Sequence, residues 1–345
     1  MIALIEDKKD SLLLSLDSVE EKEIEWLVPE YLPRGQICIM AGDGGSGKTT
    51  IWCSLAAAIS SGTKVFFERT PEKFVEKKPQ KVLFFSSEDS IEYVLKARLR
   101  KAGANLSNIF SVNLKNEKFS EIKFNSQLLR DLIEQVQPAL VIFDPVQSFI
   151  PDGANMAKRN EMRSCLNHLI GIGEQYGTTS LIVVHTNKRT GAFGRKRISD
   201  SSDIWDIARS ALVVGNVSGS NLRYMSQEKS NYGELAQTAL FSIDDSGAHL
   251  EEYTDRRDAD FVREQDFEGR QAPQRQDAEQ FIKDFLRGGK KPTSELDEAA
   301  QAAGISRSSL TRAKTKLRKD NVMNVKSEGF GGNKVFYSYL LDQRS

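Results

Sequence analysis

No cysteine pair, no long apolar run and no net charge mark this 345-residue chain. Its three cysteines, Cys38, Cys53 and Cys165, stand far apart and never in C-x-x-C spacing, so no local thiol pair is available for redox or metal work. Two of them lie in apolar stretches typical of buried thiols, which suits a reducing compartment. No apolar run approaches the roughly 18–20 residues of a membrane-spanning helix, and the first residues lack the positive-then-apolar order of an export signal. A soluble, cytoplasmic protein is expected. With 48 basic residues against 48 acidic ones, the whole-molecule field draws no polyanion, so affinity for nucleic acid has to come from local patches. Such patches exist: residues 1–30 lean acidic and residues 276–345 lean basic. The 39% hydrophobic composition is that of a globular protein, and the length suits about two domains.

The informative stretch is residues 37–50, where an apolar strand breaks into glycines and then enters an Ala-rich helical pattern. Gly42, Gly47, Lys48 and Thr49 satisfy G-x-x-x-x-G-K-[ST], and further glycines at 44 and 45 let several backbone N–H groups converge on one anion. Strand before and helix after is the context such a loop requires. The spacing predicts that Gly42, Asp43, Gly44, Gly45, Ser46, Gly47, Lys48, Thr49 and Thr50 wrap the phosphates of ATP. Lys48 is then expected on the β- and γ-phosphates and Thr49 on Mg²⁺.

Short Val/Ile/Leu/Phe runs at 37–41, 82–85, 140–143, 181–184 and 211–214 alternate with helical patterns, and runs at 223–227 and 239–243 follow closely. Strands that read this way are buried on both faces of a mostly parallel sheet, so an α/β P-loop core is expected, with the last runs antiparallel at one edge. Residues 1–30 read as an acidic segment, 31–250 as the ATPase domain and 251–275 as a charged linker poor in apolar residues. In 276–345, helical stretches at 277–286, 293–303 and 307–319 precede strands at 322–325 and 335–339 around a glycine-rich tip. That is the order of a winged helix-turn-helix domain; a helical oligomerisation domain is the other reading.

Phosphoryl transfer is mostly positioning and charge neutralisation, so a phosphate loop needs companions. The run at 82–85 leads to Ser86-Ser87-Glu88-Asp89, which puts acids at the carboxyl edge of the sheet. Glu88 is the candidate for orienting water on the γ-phosphate, and Asp89 suits a helix cap better. The run at 140–143 leads to Asp144 and Pro145, the form of a Walker B strand whose carboxylate holds the Mg²⁺ shell. The run at 181–184 ends in His185, placed either to report nucleotide state or simply to close a strand.

Together, the phosphate loop, Glu88-Asp89, Asp144-Pro145 and His185-Thr186-Asn187-Lys188 resemble the RecA-like ATPases of the RepA type, the hexameric replicative helicases of plasmids, phages and other mobile elements. Asp206-Ile207-Ala208-Arg209, Lys229-Ser230-Asn231-Tyr232-Gly233 and the lead-in Glu25-Trp26-Leu27-Val28-Pro29 look like further segments of that family, over about residues 24–245. The resemblance implies a RecA-like fold, a ring of six subunits, ATP and Mg²⁺, DNA as the track, and a primase or replication initiator as partner. It implies a catalytic set of Lys48, Glu88, Asp144, His185, Arg209 and Lys229, with Arg209 acting on the neighbouring subunit's nucleotide and Lys229 as its helper. Two positions depart from the pattern: Val184 precedes His185 where many relatives carry a second histidine, and Asn231 stands where related chromosomal helicases carry arginine. A salt bridge from Arg209 to Asp203 or Asp206 is the plainer alternative.

Lys188, Arg189, Arg195, Lys196 and Arg197 follow His185 among glycines, in a stretch without apolar periodicity. In a RecA-like ring this loop faces the central channel, where basic loops grip single-stranded DNA by its phosphates, and Phe193 is placed to stack on a base; a solvated loop is the alternative. A second channel candidate is 152–163, with Lys158, Arg159 and Arg163. In the C-terminal domain Arg307, Arg312 and Lys314 lie on the third helix with Lys316, Arg318 and Lys319, as a recognition helix on duplex DNA requires. The expected function is an ATP-driven ring helicase or single-stranded DNA translocase in replication of a mobile element. A DNA-binding loader, regulator or recombination mediator without unwinding is the rival.

Overall fold

The computed structural model describes residues 15–69, 77–154, 159–187, 191–198, 202–271, 274–328 and 335–341. The chain divides into two compact units, Met1–Gln265 and Asp266–Ser345.

The first unit opens with a ribbon of β1 (Trp26–Val28) against β2 (Leu32–Pro33), then enters β3 (Ile37–Gly42) and α1 (Lys48–Ser61). Next come β4 (Val82–Ser86), a π-type turn (Ile91–Leu95), α2 (Lys96–Lys101), β5 (Ile109–Ser111), α3 (Gln127–Val136) and β6 (Leu140–Asp144). The alternation ends with α4 (Arg159–Tyr176), β7 (Thr179–His185), α5 (Ser202–Ile207) and β8 (Ser210–Asn216). A meander of β9 (Arg223–Ser230), β10 (Thr238–Asp244) and β11 (Gly247–Thr254) follows. All nine strands from β3 on form one sheet in the order β11-β10-β9-β8-β3-β7-β6-β4-β5. The six from β8 to β5 are parallel, and the meander is antiparallel, as the closely spaced final runs predict.

The central parallel strands β3, β4, β6, β7 and β8 are largely apolar and buried because helices cover both faces. Along β3, Cys38 and Met40 join Trp52 and Leu55 of α1 on one side, whereas Ile37, Ile39 and Ala41 join Leu129 of α3, Leu166 of α4 and Ile204 of α5 on the other. Each large side chain so buried contributes about 1.5–3 kcal/mol. Register then decides the chemistry: Gly42 pairs with His185 across β3 and β7, and Ser86 pairs with Asp144 across β4 and β6. One edge of the sheet thus receives the glycine loop, the Glu88 segment, Asp144 and His185.

Three regions depart from the sequence reading. The ribbon of β1 and β2 and the short β5 are too brief to carry a periodic signal. The segment expected as a linker instead completes β11 and forms α6 (Asp258–Gln271). Its polarity misled because α6 docks through few residues: Asp258 is fully buried, and Phe261 stacks on Tyr224 with ring centroids 4.1 Å apart.

The second unit contains α7 (Gln274–Leu286), β12 (Lys291–Pro292), α8 (Thr293–Ala302), α9 (Arg307–Lys319), β13 (Met323–Glu328) and β14 (Val335–Leu340). Its sheet has the order β12-β14-β13, and its core gathers Ile282, Leu286, Leu296, Ala300, Leu310, Leu317 and Met323. Ser306 caps α9 by accepting from the Ser309 N–H at 3.2 Å.

Candidate functional site

At the carboxyl edge of the sheet the chain leaves β3 and turns back into α1. Gly47 is the pivot: its φ is 103°, and a Cβ there would lie 2.8 Å from Ile243 Cδ1. Only glycine meets both demands. Lys48, 7% exposed, donates from Nζ to the carbonyls of Gly42 and Asp43, both at 2.8 Å. Burial pulls its pKa down, against the attraction of Asp144, Glu88 and Asp43. Two polar atoms beside this loop, Ser46 Oγ and Arg223 Nε, are buried without a hydrogen-bond partner among the described residues. An anion carrying several oxygens would satisfy such donors, and the open space around Gly44 and Gly45 leaves it room.

Asp144, at the end of β6, is buried, and its Oδ2 accepts from the indole Nε1 of Trp52 at 2.7 Å. Burial raises its pKa; the Trp52 hydrogen bond, Lys48 and His185 pull the other way, and Glu88 adds to the rise. Trp52 is absent from the sequence-based site, although it stands four residues after Lys48 in α1 and so shares its helix face. Glu88 and His185 are brought together: His185 Nε2 and Glu88 Oε1 lie 2.9 Å apart. Asp89 turns away to Arg98 at 2.9 Å, and Ser90, accepting from the Tyr93 N–H, does the capping. The donor set fits a Mg²⁺–triphosphate: Thr49, half-buried in the first turn of α1, and Asp144 are the oxygen donors that would hold the ion, which when bound neutralises phosphate charge.

The remaining candidates lie elsewhere. Arg209 precedes β8 at the opposite edge of the sheet, where its N–H donates to Ile37 O at 2.8 Å. Its guanidinium makes no ion pair among the described residues; Asp206 pairs with Arg195 instead, at 2.8 Å. Lys229 Nζ donates to the carbonyls of Trp205 and Asp206 at 2.8 and 3.1 Å, closing the end of α5, and burial lowers its pKa.

Among the basic-loop residues, Lys188 and Arg189 lie outside the described residues, and Lys196 is exposed. Phe193 is flanked by Lys196 and Arg263, with the cations 5.9 and 5.6 Å from the ring centroid. Arg197 is a correction: its side chain is 7% exposed and pairs with Asp258 and Asp43, so it does not present a charge to DNA here. No local pattern separates it from Arg195 and Lys196, because its partners come from α6 and the phosphate loop. Arg163, expected on a loop, is exposed on α4; Lys158 falls outside the described residues. On α9, Arg307 and Arg312 are exposed, while Lys314 is tied to Asp297 of α8.

Among the described residues no helix is long and apolar enough to cross a membrane, and no cluster of His, Cys, Asp and Glu is preformed for a metal. All three cysteines are free and buried, and burial raises their pKa values.

Among known proteins, the chain is similar to the DNA repair protein RadA of Halalkalibacterium halodurans, 23% identical over 228 residues, which cover 66% of this chain and 43% of that protein. RadA of Bacillus subtilis is 19% identical over 249 residues, covering 70% of this chain and 47% of the relative. RadA of Brucella abortus is 23% identical over 216 residues, covering 62% and 40%. The chain thus aligns with less than half the length of each of these relatives. The AAA domain family matches residues 7–191, and with more than half of its length inside that match the chain belongs to the AAA domain family of P-loop ATPases.

Proposed function

We propose that this protein is an ATP-driven motor on DNA, a ring-forming helicase or single-stranded DNA translocase. The observation that carries the reading is the meeting of Glu88 and His185 at 2.9 Å on the sheet edge that also holds Lys48 and Asp144. In the proposed reaction Lys48 exchanges the carbonyls of Gly42 and Asp43 for the phosphates. Glu88, held by His185, takes a proton from water as the water oxygen attacks the γ-phosphorus and the bond to the bridging oxygen breaks, releasing ADP. Arg209 lies one strand length from its own phosphate loop, roughly 15–20 Å, so it serves only a neighbour's site. That supports a ring, with six subunits by resemblance. Exposed Arg307 and Arg312 on the capped α9, beside a small sheet, support a winged helix-turn-helix that meets duplex DNA.

The similarity to proteins named for DNA repair favours a second reading, a recombination mediator that uses ATP on DNA without unwinding. ATP turnover measured with and without single-stranded DNA, together with strand displacement on a labelled fork, separates the two. A helicase displaces the strand only with hydrolysable ATP, and a translocase strips streptavidin from a biotinylated single strand. DNA-stimulated turnover with neither establishes the mediator, and turnover indifferent to DNA overturns both.

A further inference from the structure

Arg197, drawn by sequence toward DNA, sits instead in a buried network between the basic loop and the phosphate loop. Its Nη2 donates to Asp43 Oδ2 at 2.9 Å, and its Nη1 donates to Tyr224 OH at 3.0 Å and to Asp258 Oδ1. The Tyr224 hydroxyl donates to the same Asp258 oxygen at 2.7 Å, while Asp258 Oδ2 accepts from the Gly194 N–H at 2.7 Å and the Asp258 N–H donates to Glu228 at 3.0 Å. One end of the guanidinium is thus locked in the core. The other end reaches Asp43, a half-exposed residue inside the phosphate loop.

Asp43 is where two signals meet. Its backbone carbonyl accepts from Lys48 Nζ, and its carboxylate accepts from Arg197 and from Thr186 Oγ1, the residue after His185. The basic loop is fastened at the same place: the Asn187 N–H donates to Arg197 O at 2.7 Å, Asn187 Nδ2 donates to Lys196 O at 2.7 Å, and Thr186 bridges Ile198. Phosphate charge arriving at Lys48 frees the Asp43 carbonyl from the ammonium. It also repels the Asp43 carboxylate, which then depends more on the guanidinium beside it.

We propose that Arg197 is a positioning residue that couples the phosphate loop to the basic loop through Asp43, so that nucleotide tightens residues 191–198. The coupling rests on the ATP-binding part of the functional reading and not on its DNA part. By linkage, whatever engages the basic loop changes nucleotide affinity by the same factor.

Hydrogen exchange of residues 191–198, with and without a non-hydrolysable ATP analogue whose binding is titrated separately, tests it in the full-length protein. Asp43→Ala is the informative variant, because it removes the exposed end of the network and leaves the buried Arg197–Asp258–Tyr224 cluster to hold the fold. In the wild type the analogue slows exchange in 191–198 tenfold or more. With each variant read at an analogue concentration that saturates it, Asp43→Ala shows less than a twofold change whatever its affinity, and Asp43→Glu, which keeps the carboxylate, restores the effect. Equal slowing in Asp43→Ala, or no slowing in wild type with analogue bound, overturns the coupling alone. A wild type that binds no nucleotide overturns the functional reading and the coupling with it.

Discussion

Replacing Trp52 by Phe separates the two tasks of the buried acid at the site. The indole is fully buried and donates to Asp144 Oδ2 at 2.7 Å. Phe keeps the ring against Phe84 but loses the donor. A hydrogen bond to a charged acceptor is worth about 1.5–3 kcal/mol, and the smaller ring leaves a void costing about 1 kcal/mol, so the variant should be less stable by about 2.5–4 kcal/mol. At about 2–4 °C per kcal/mol for a domain of this size, Tm falls by roughly 5–15 °C. The pH dependence has a definite sign. Burial already raises the Asp144 pKa above its ordinary value of 3.8, and Trp52 opposes that rise. A raised carboxyl holds its proton in the folded state where the unfolded chain has lost it, so its contribution to stability falls as pH rises from 3.8 through the folded value. In Trp52→Phe that window extends upward, and the acid limb of ATP turnover moves to higher pH. Asp144→Asn is the counterpart: its amide oxygen still accepts from Trp52 and no charge is buried, so near neutral pH stability is unchanged or higher while turnover is lost. Thermal melts across pH and turnover profiles read both effects. A Tm change below about 2 °C with an unmoved acid limb refutes the assignment of Trp52 as the group that holds Asp144.

Glu88→Gln should bind ATP as the wild type does but turn it over a hundredfold or more slowly, as about 10²–10⁴ is the range for a lost general base; normal turnover with loss in Asp89→Asn would transfer the role to Asp89. Gly47→Ala meets a positive φ and a contact 2.8 Å from Ile243 Cδ1, so ATP binding by fluorescence titration should weaken at least tenfold, with a destabilisation of about 1–3 kcal/mol. Arg209→Ala should bind ATP without hydrolysing it, and mixing it with Lys48→Ala subunits should restore activity at the mixed interfaces; a dead mixture that still co-assembles removes Arg209 from the reaction.

The glycine loop was legible in residues 37–50 because G-x-x-x-x-G-K-[ST] is local: its glycines and its lysine act through backbone placed by the same short segment. The parallel strands were legible because burial on both faces leaves continuous apolar runs, and the residues ending those runs, Gly42, Asp144 and His185, fall at one edge once the strands are parallel. Pairings chosen by strand order were not legible. Trp52 and Asp144 are 92 residues apart, Glu88 and His185 are 97 apart, and Asp43 and Arg197 are 154 apart. Nothing in the local pattern around Arg197 distinguishes it from its exposed neighbours, and nothing around Lys229 says that its amine closes a helix end. Those outcomes follow from which side chains the sheet and α6 bring within hydrogen-bond reach, buried at Trp52–Asp144 and open to water at Glu88–His185, a juxtaposition that tertiary packing alone creates.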